Sequence, residues 1–96
     1  MNANLIIENL REQKNIIKNN YKANIIGLFG SLVRGEQRPD SDVDILVEFD
    51  KDADLINYLA LSDYLENILG RKVDLVSLPF LRDKIRPSVI KDLRKI

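Results

Sequence analysis

The stretch over residues 27–49, GLFGSLVRGEQRPDSDVDILVEF, constrains the fold more than any other part of the chain. It closes one apolar run and opens another, with glycines, serines, two arginines and three aspartates between them. Residues 23–29, ANIIGLF, read as a short buried strand. Residues 42–49 alternate, with Val43, Ile45, Val47 and Phe49 on one side and Asp42, Asp44, Leu46 and Glu48 on the other, which is a strand with period two. Ser31 stands where a helix can begin, and SLVRG allows about one turn before Gly35 ends it. Residues 36–41, EQRPDS, form a loop on composition.

The remaining segments alternate in type. Residues 4–20 read as one helix, because Ile6, Leu10 and Ile17 are spaced by four and seven with Ile16 beside them. Residues 53–69 read as a second helix, capped by Gly70. Residues 72–78, KVDLVSL, read as a third strand. Pro79 breaks the chain, and residues 80–95 read as a final helix with Pro87 a kink or boundary inside it. The order α-β-turn-β-α-β-α implies an α/β (α+β) fold with a small mixed sheet of three or four strands flanked by helices. The length of 96 residues fits one domain over residues 1–96.

Composition removes several chemistries. The chain has no cysteine and no histidine. Disulfides, thiolate zinc sites, His-ligated metals and Ser-His-Asp or Cys-His catalysis are therefore excluded. A base working near neutral pH has to be Asp, Glu, Lys or Tyr, or a metal-bound group. No apolar run approaches the ~18 residues of a membrane span, and the N-terminus turns polar too early for a secretory signal. A cytoplasmic location is expected. Lys and Arg total 15 and so do Asp and Glu, giving zero net charge. The signs are nevertheless segregated: residues 36–66 hold ten acids and two bases, and residues 71–96 hold eight bases and three acids. The basic tail, including Arg82, Lys84 and Arg86, is either a solvated helix face or a surface for phosphates or an acidic partner. Zero net charge argues against a dedicated nucleic-acid binder.

Asp42 and Asp44 are two apart on a strand and so point to one side, roughly 6–7 Å apart along the backbone. Packing gives no reason to pair them, although a solvated strand end often carries the same pattern. Carboxylates suit Mg²⁺, and two such ions about 4 Å apart clamp the attacking and leaving oxygens of a phosphoryl transfer. Gly30 at a strand end lets a phosphate approach the backbone, and Ser31 adds a hydroxyl and a helix start. The simpler alternative is a turn glycine and a capping serine. Asp74 interrupts an apolar strand. It either joins the same cleft as a metal ligand or a base, or faces water from an edge strand. A P-loop fails because Glu36-Gln37 follow Gly35. An EF-hand fails because Ile45 stands at its sixth position and Lys51 at its twelfth.

Gly30-Ser31, ten intervening residues and then Asp42-x-Asp44 resemble the G-S-x₁₀-D-x-D signature of the nucleotidyltransferase superfamily that includes DNA polymerase beta. GSLVRGEQRPDSDVDILVEF is similar in particular to the minimal nucleotidyltransferase group. That resemblance implies that Gly30 and Ser31 hold a nucleoside triphosphate, with Arg34 and Arg38 as further phosphate contacts. It implies that Asp42 and Asp44 bind Mg²⁺, as two ions, with Asp74 the third catalytic and metal-binding carboxylate. Where the family often has a basic residue directly after Gly-Ser, this chain has Leu32. The resemblance further implies an antitoxin that transfers AMP from ATP to a tyrosine hydroxyl of a HEPN-domain ribonuclease toxin, in a homo- or hetero-oligomer. Two alternatives remain: a binding module that neutralises the toxin by contact alone, and a subunit that modifies a small molecule.

Overall fold

The computed structural model describes residues 2–36, 38 and 40–96. Of the loop expected over residues 36–41, Gln37 and Pro39 lie outside the described residues. The first helical segment is two helices, α1 (Ala3–Glu12) and α2 (Lys14–Tyr21), rather than the single helix that the periodicity suggests. Asn2 caps α1, its side chain accepting from the Leu5 N–H at 3.0 Å. The break falls at Gln13, whose φ of −90° and ψ of 0° leave the helical region. The Gln13 side-chain oxygen accepts a hydrogen bond from the Tyr64 hydroxyl. Ile6 and Leu10 of α1 and Ile17 of α2 bury in the same core, as their spacing by four and seven predicts.

Strand β1 (Ala23–Phe29) runs antiparallel to β2 (Val43–Phe49), and the one-turn helix α3 (Ser31–Arg34) follows β1 directly. Helix α4 (Leu55–Leu69) starts with a reciprocal capping box between Asp54 and Asn57 and stops at Gly70. It carries the chain across to β3 (Val73–Ser77), which pairs parallel with β2. The last segment is not one helix. It comprises a 3₁₀ turn (Leu78–Phe80), helix α5 (Arg86–Asp92) and a two-residue strand β4 (Arg94–Lys95). Pro87 lies in the first turn of α5, where its missing N–H costs nothing, so it opens a helix instead of kinking one. Strand β4 pairs with β1, and the sheet order is β3-β2-β1-β4. The mixed four-stranded sheet agrees with the upper of the two strand counts expected.

The sheet buries both faces. On one face Val43, Ile45, Val47, Val73 and Leu75 pack with α1, α2 and α4 through Ile6, Leu10, Ile17, Leu61 and Leu65. On the other face Leu46 packs with Leu81 and Val89 of the C-terminal segment, beside Ile26, Phe29 and Val76. That second layer explains Leu46, the apolar residue on the otherwise charged side of β2. Gly27 permits the close approach of β4, since a Cβ there would strike the Arg94 carbonyl. Among the described residues no helix is long and apolar enough to cross a membrane.

Candidate active site

The site forms where β1 ends and β2 begins. The antiparallel register sets Phe29 opposite Asp44, so Gly30, one residue on, turns past the Asp44 side chain. Gly30 has a φ of +83°, which favours glycine, and a Cβ at this position would fall inside the Asp44 carboxylate. Both requirements exclude a side chain. Helix α3 starts at Ser31 with Gly30 as its N-cap, and no side chain caps it. The capping role considered for Ser31 is therefore absent, and its hydroxyl is not committed to the helix. With four residues, α3 contributes little dipole. The open approach at Gly30 and the Ser31 hydroxyl are the main features for a phosphate. Leu32 is buried in the main core, so the side chain after Gly-Ser points inward here.

The parallel register aligns Asp44 with Asp74 on the neighbouring strand. Both face the side of the sheet that carries the C-terminal segment, opposite to Val43, Ile45, Val73 and Leu75. Each reading of Asp74 has part of its geometry: β3 is an edge strand and Asp74 is exposed, and it stands beside Asp44. The Asp44 carboxyl is pushed up to about 6. Burial is the largest cause, followed by the charges of Asp74 and Asp42 and a hydrogen bond with Asp74, while the Arg34 charge pulls the other way. Asp74 acts on Asp44 from the next strand, and Asp42, exposed just before β2, acts on it through its charge.

Among the described residues no three acidic groups are gathered at ligating distance of a common point. The three aspartates expected as one ligand set therefore meet as a pair plus a neighbour, as like charges on adjoining strands should. Their chemistry nonetheless fits a hard divalent cation. The donors are all carboxylate oxygens, none forms an ion pair with Lys or Arg among the described residues, and Asp44 bears the cost of their mutual repulsion.

The two arginines expected at the phosphates differ. The Arg34 guanidinium already bonds Asp92 of α5 at 2.6 Å and Glu36 at 3.1 Å, tying α3 to the C-terminal segment. Arg38 is exposed; its backbone closes a turn with Ser41, donating to Ser41 Oγ at 2.7 Å and accepting from the Ser41 N–H at 2.9 Å. Sequence reasoning missed Arg71. Its Nη2 donates to the carbonyls of Arg38 at 3.1 Å and Ser41 at 2.9 Å, pinning the loop that leads into Asp42. A polar hollow of about 480 Å³ lies there, lined by Asp40, Ser41, Asp42, Gly70, Arg71 and Lys72. Nothing around position 71 signals this role, because the arginine acts on backbone atoms thirty residues away.

A glycine bend without a side chain, set against carboxylates on the next strands of a mixed sheet, gives one cleft where a phosphate and a hard cation can meet. Residues 10–96 match the family described as the nucleotidyltransferase domain, and the chain belongs to that family. It is 40% identical over 84 residues to the protein adenylyltransferase MntA of Thermococcus cleftensis, covering 88% of this chain and 85% of the relative. A solved structure described provisionally as a minimal nucleotidyltransferase superposes with a TM-score of 0.75 at 32% identity, over 100% of this chain and 97% of that one. A toxin–antitoxin crystal structure with AMP-PNP superposes with a TM-score of 0.69 at 32% identity, over 99% of this chain and 72% of that one. The fold is that of the minimal nucleotidyltransferases, and the chain is a nucleotidyltransferase.

Proposed function

We propose that residues 1–96 act as one catalytic domain, an antitoxin that transfers AMP from ATP to a tyrosine hydroxyl on a HEPN-domain toxin. The observation that carries this reading is the contact of the Gly30 bend with Asp44 and the in-register alignment of Asp44 with Asp74. The kinship with a protein adenylyltransferase and with a toxin–antitoxin structure containing AMP-PNP supports the choice of donor and partner.

In this reading Gly30 lets the triphosphate lie against the backbone beside Asp44, and Ser31 donates its hydroxyl hydrogen to a phosphate oxygen. Arg38, exposed at the loop, adds positive charge. Arg34 holds α3 in place through Asp92 and Glu36 and needs to exchange partners to reach a phosphate. Asp42, Asp44 and Asp74 would hold Mg²⁺, as two ions, which would supply positive charge for the phosphoryl oxygens. Asp74, the most open of the paired carboxylates, accepts the proton of the acceptor hydroxyl. The new bond forms between the acceptor oxygen and the α-phosphorus, the α–β bridge breaks, and pyrophosphate leaves. Positioning and charge stabilisation carry the catalysis, so the lack of histidine is no handicap.

The test is label transfer from α-labelled ATP to the toxin by the double variant Asp42→Asn, Asp44→Asn, with circular dichroism to verify its fold. Transfer is expected to fall at least about 100-fold, the scale of losing a charge-stabilising group. Undiminished transfer overturns the assignment. A second reading, neutralisation by contact alone, is favoured by the exposed Leu55, Ile56, Leu59 and Phe80. Mass spectrometry of the toxin after co-expression separates the two: a nucleotide adduct supports the enzyme, and an inhibited but unmodified toxin supports the contact reading.

A further inference from the structure

At the far end of β2 from Asp44 the surface is apolar in a way the transfer site does not require. An open hollow of about 620 Å³ is lined by Phe49, Ala53, Leu55, Tyr58, Pro79 and Phe80, with Asp50, Lys51, Asp54 and Ser77 completing its wall. Its floor is fixed. The Tyr58 and Phe49 rings lie 6.0 Å apart, and the Tyr58 hydroxyl donates to the Leu75 carbonyl at 2.9 Å. The rim is open to solvent, with Phe80 82% and Leu55 70% exposed, and beyond it on α4 Ile56 is 74% and Leu59 55% exposed. Large apolar side chains gathered in this way mark an interaction surface.

Helical geometry sets the form of the patch. Leu55 and Leu59 are four apart on α4, and Ile56 and Asp63 are seven apart, so all four fall on the outward face. Leu61, Leu65 and Leu69 fill the opposite, core-facing side. The outward face is thus apolar in its first half and acidic beyond, at the exposed Asp63, while the Glu66 carboxylate turns away to accept from the Val73 N–H at 3.0 Å. Acid also bounds the other end, at Asp50, Asp52 and Asp54. Asp50 and Asp52 show what such a rim attracts, since each already holds a lysine of α2, Lys18 at 2.6 Å and Lys22 at 2.9 Å.

From the apolar stripe and its acidic ends we infer that this face docks an amphipathic helix of a partner protein. That helix presents leucine- or aromatic-type side chains flanked by Lys or Arg. One large apolar side chain enters the hollow beside Phe49, Tyr58 and Phe80, the stripe covers Leu55, Ile56 and Leu59, and cations meet Asp54 and Asp63. The inference deepens the reading of a protein acceptor by giving that protein's docking chemistry. Asp44 and Phe49 are five residues apart on one strand, about 17 Å. A helix seated here leaves the Gly30–Asp44–Asp74 site open, and the acceptor hydroxyl reaches it from a separate part of the partner.

The probes are two synthetic 20-residue helical peptides with one leucine stripe, flanked by lysines in the first and by glutamates in the second. Binding to the full chain is read by fluorescence anisotropy and mapped by amide chemical shifts. The lysine-flanked peptide is expected to bind at least about tenfold tighter, with the gap narrowing as salt screens the flanking charges. The expected shifts cluster on α4 and around Phe80, and Leu59→Glu is expected to weaken binding at least about 30-fold. Leu59 lies on the surface, and Leu59→Gln, which keeps the length without the charge, serves as a second variant and is expected to weaken binding less. Equal binding of both peptides, no binding up to about 1 mM, or shifts elsewhere would overturn the inference. So would a homodimer that Leu59→Glu dissociates, because a second copy would then be the occupant. Nucleotide transfer is not read in this experiment, so the two proposals fail separately.

Discussion

A single carboxyl records most of the tension in the site. Asp44 is half-buried beside Asp74, and its value near 6 lies above the 3.8 of a free aspartate. A carboxyl whose folded value is raised stabilises the fold fully below the unfolded value and loses that contribution as pH rises through the folded one. In chelator-treated protein, stability is therefore expected to decline between about pH 4 and pH 6 through this residue. Asp44→Asn removes the decline. Allowing for solvent screening, the variant should be about 1 kcal/mol more stable than the parent at pH 7 and nearly equal to it at pH 4. Urea unfolding across that range reads the difference directly, and Mg²⁺ should stabilise the parent at pH 7 while leaving the variant little changed. A parent whose stability rises steadily from pH 4 to pH 7 without metal would contradict the assignment of Asp44.

Strand register brings these residues together, and spacing in the sequence reveals only part of it. Asp42 and Asp44 are legible as neighbours because a strand has period two. Asp74 is legible only as an anomaly in an apolar strand, since its position beside Asp44 depends on β3 pairing parallel with β2. Gly30 is legible as a turn residue, but its contact with the Asp44 carboxylate follows from a register that local sequence does not encode. The missed elements have physical causes too. Propensity carries α1 straight through Gln13, whereas Gln13 leaves helical dihedrals and its side chain accepts from the Tyr64 hydroxyl fifty-one residues away. Strand β4 has two residues and no pattern of its own; it exists because β1 offers an unpaired edge and Gly27 gives it room. Arg71 belongs at this scale, since it joins the α4–β3 connection to the loop ahead of β2. Arg71→Ala is expected to raise amide exchange at Ser41 and Val43 several-fold and to raise the Mg²⁺ concentration for half-maximal transfer more than it lowers the maximal rate. Arg71→Lys should restore part of each, because one ammonium can reach one carbonyl. An equal loss of rate at all Mg²⁺ concentrations would mean that Arg71 does not position this loop.

Across the whole molecule, two features of the sequence find their places at opposite ends of β2. The dense charge of residues 36–44 leads into the strand that carries Asp44, and the acidic run from residue 50 onward lies at the start of α4 beside its exposed apolar residues. The zero net charge hides this division. Fold class, the succession of strands along the chain up to β3 and the Gly-Ser-Asp-Asp signature were open to reading from the chain, because each rests on local periodicity or on a short motif. The partner-facing surface was not, because Leu55, Ile56 and Leu59 count as core residues in any pattern of apolar spacing until packing shows α4 turning other leucines inward. The central claim is that the Gly30 bend and the three aspartates form one metal-dependent triphosphate site. Calorimetric titration of the chain with AMP-PNP, with and without Mg²⁺, tests it most directly. Saturable binding is expected only with Mg²⁺, weakened at least about 30-fold in Asp44→Asn, equal to about 2 kcal/mol. Equal affinity in the presence of chelator, or an unchanged affinity in that variant, would contradict the account.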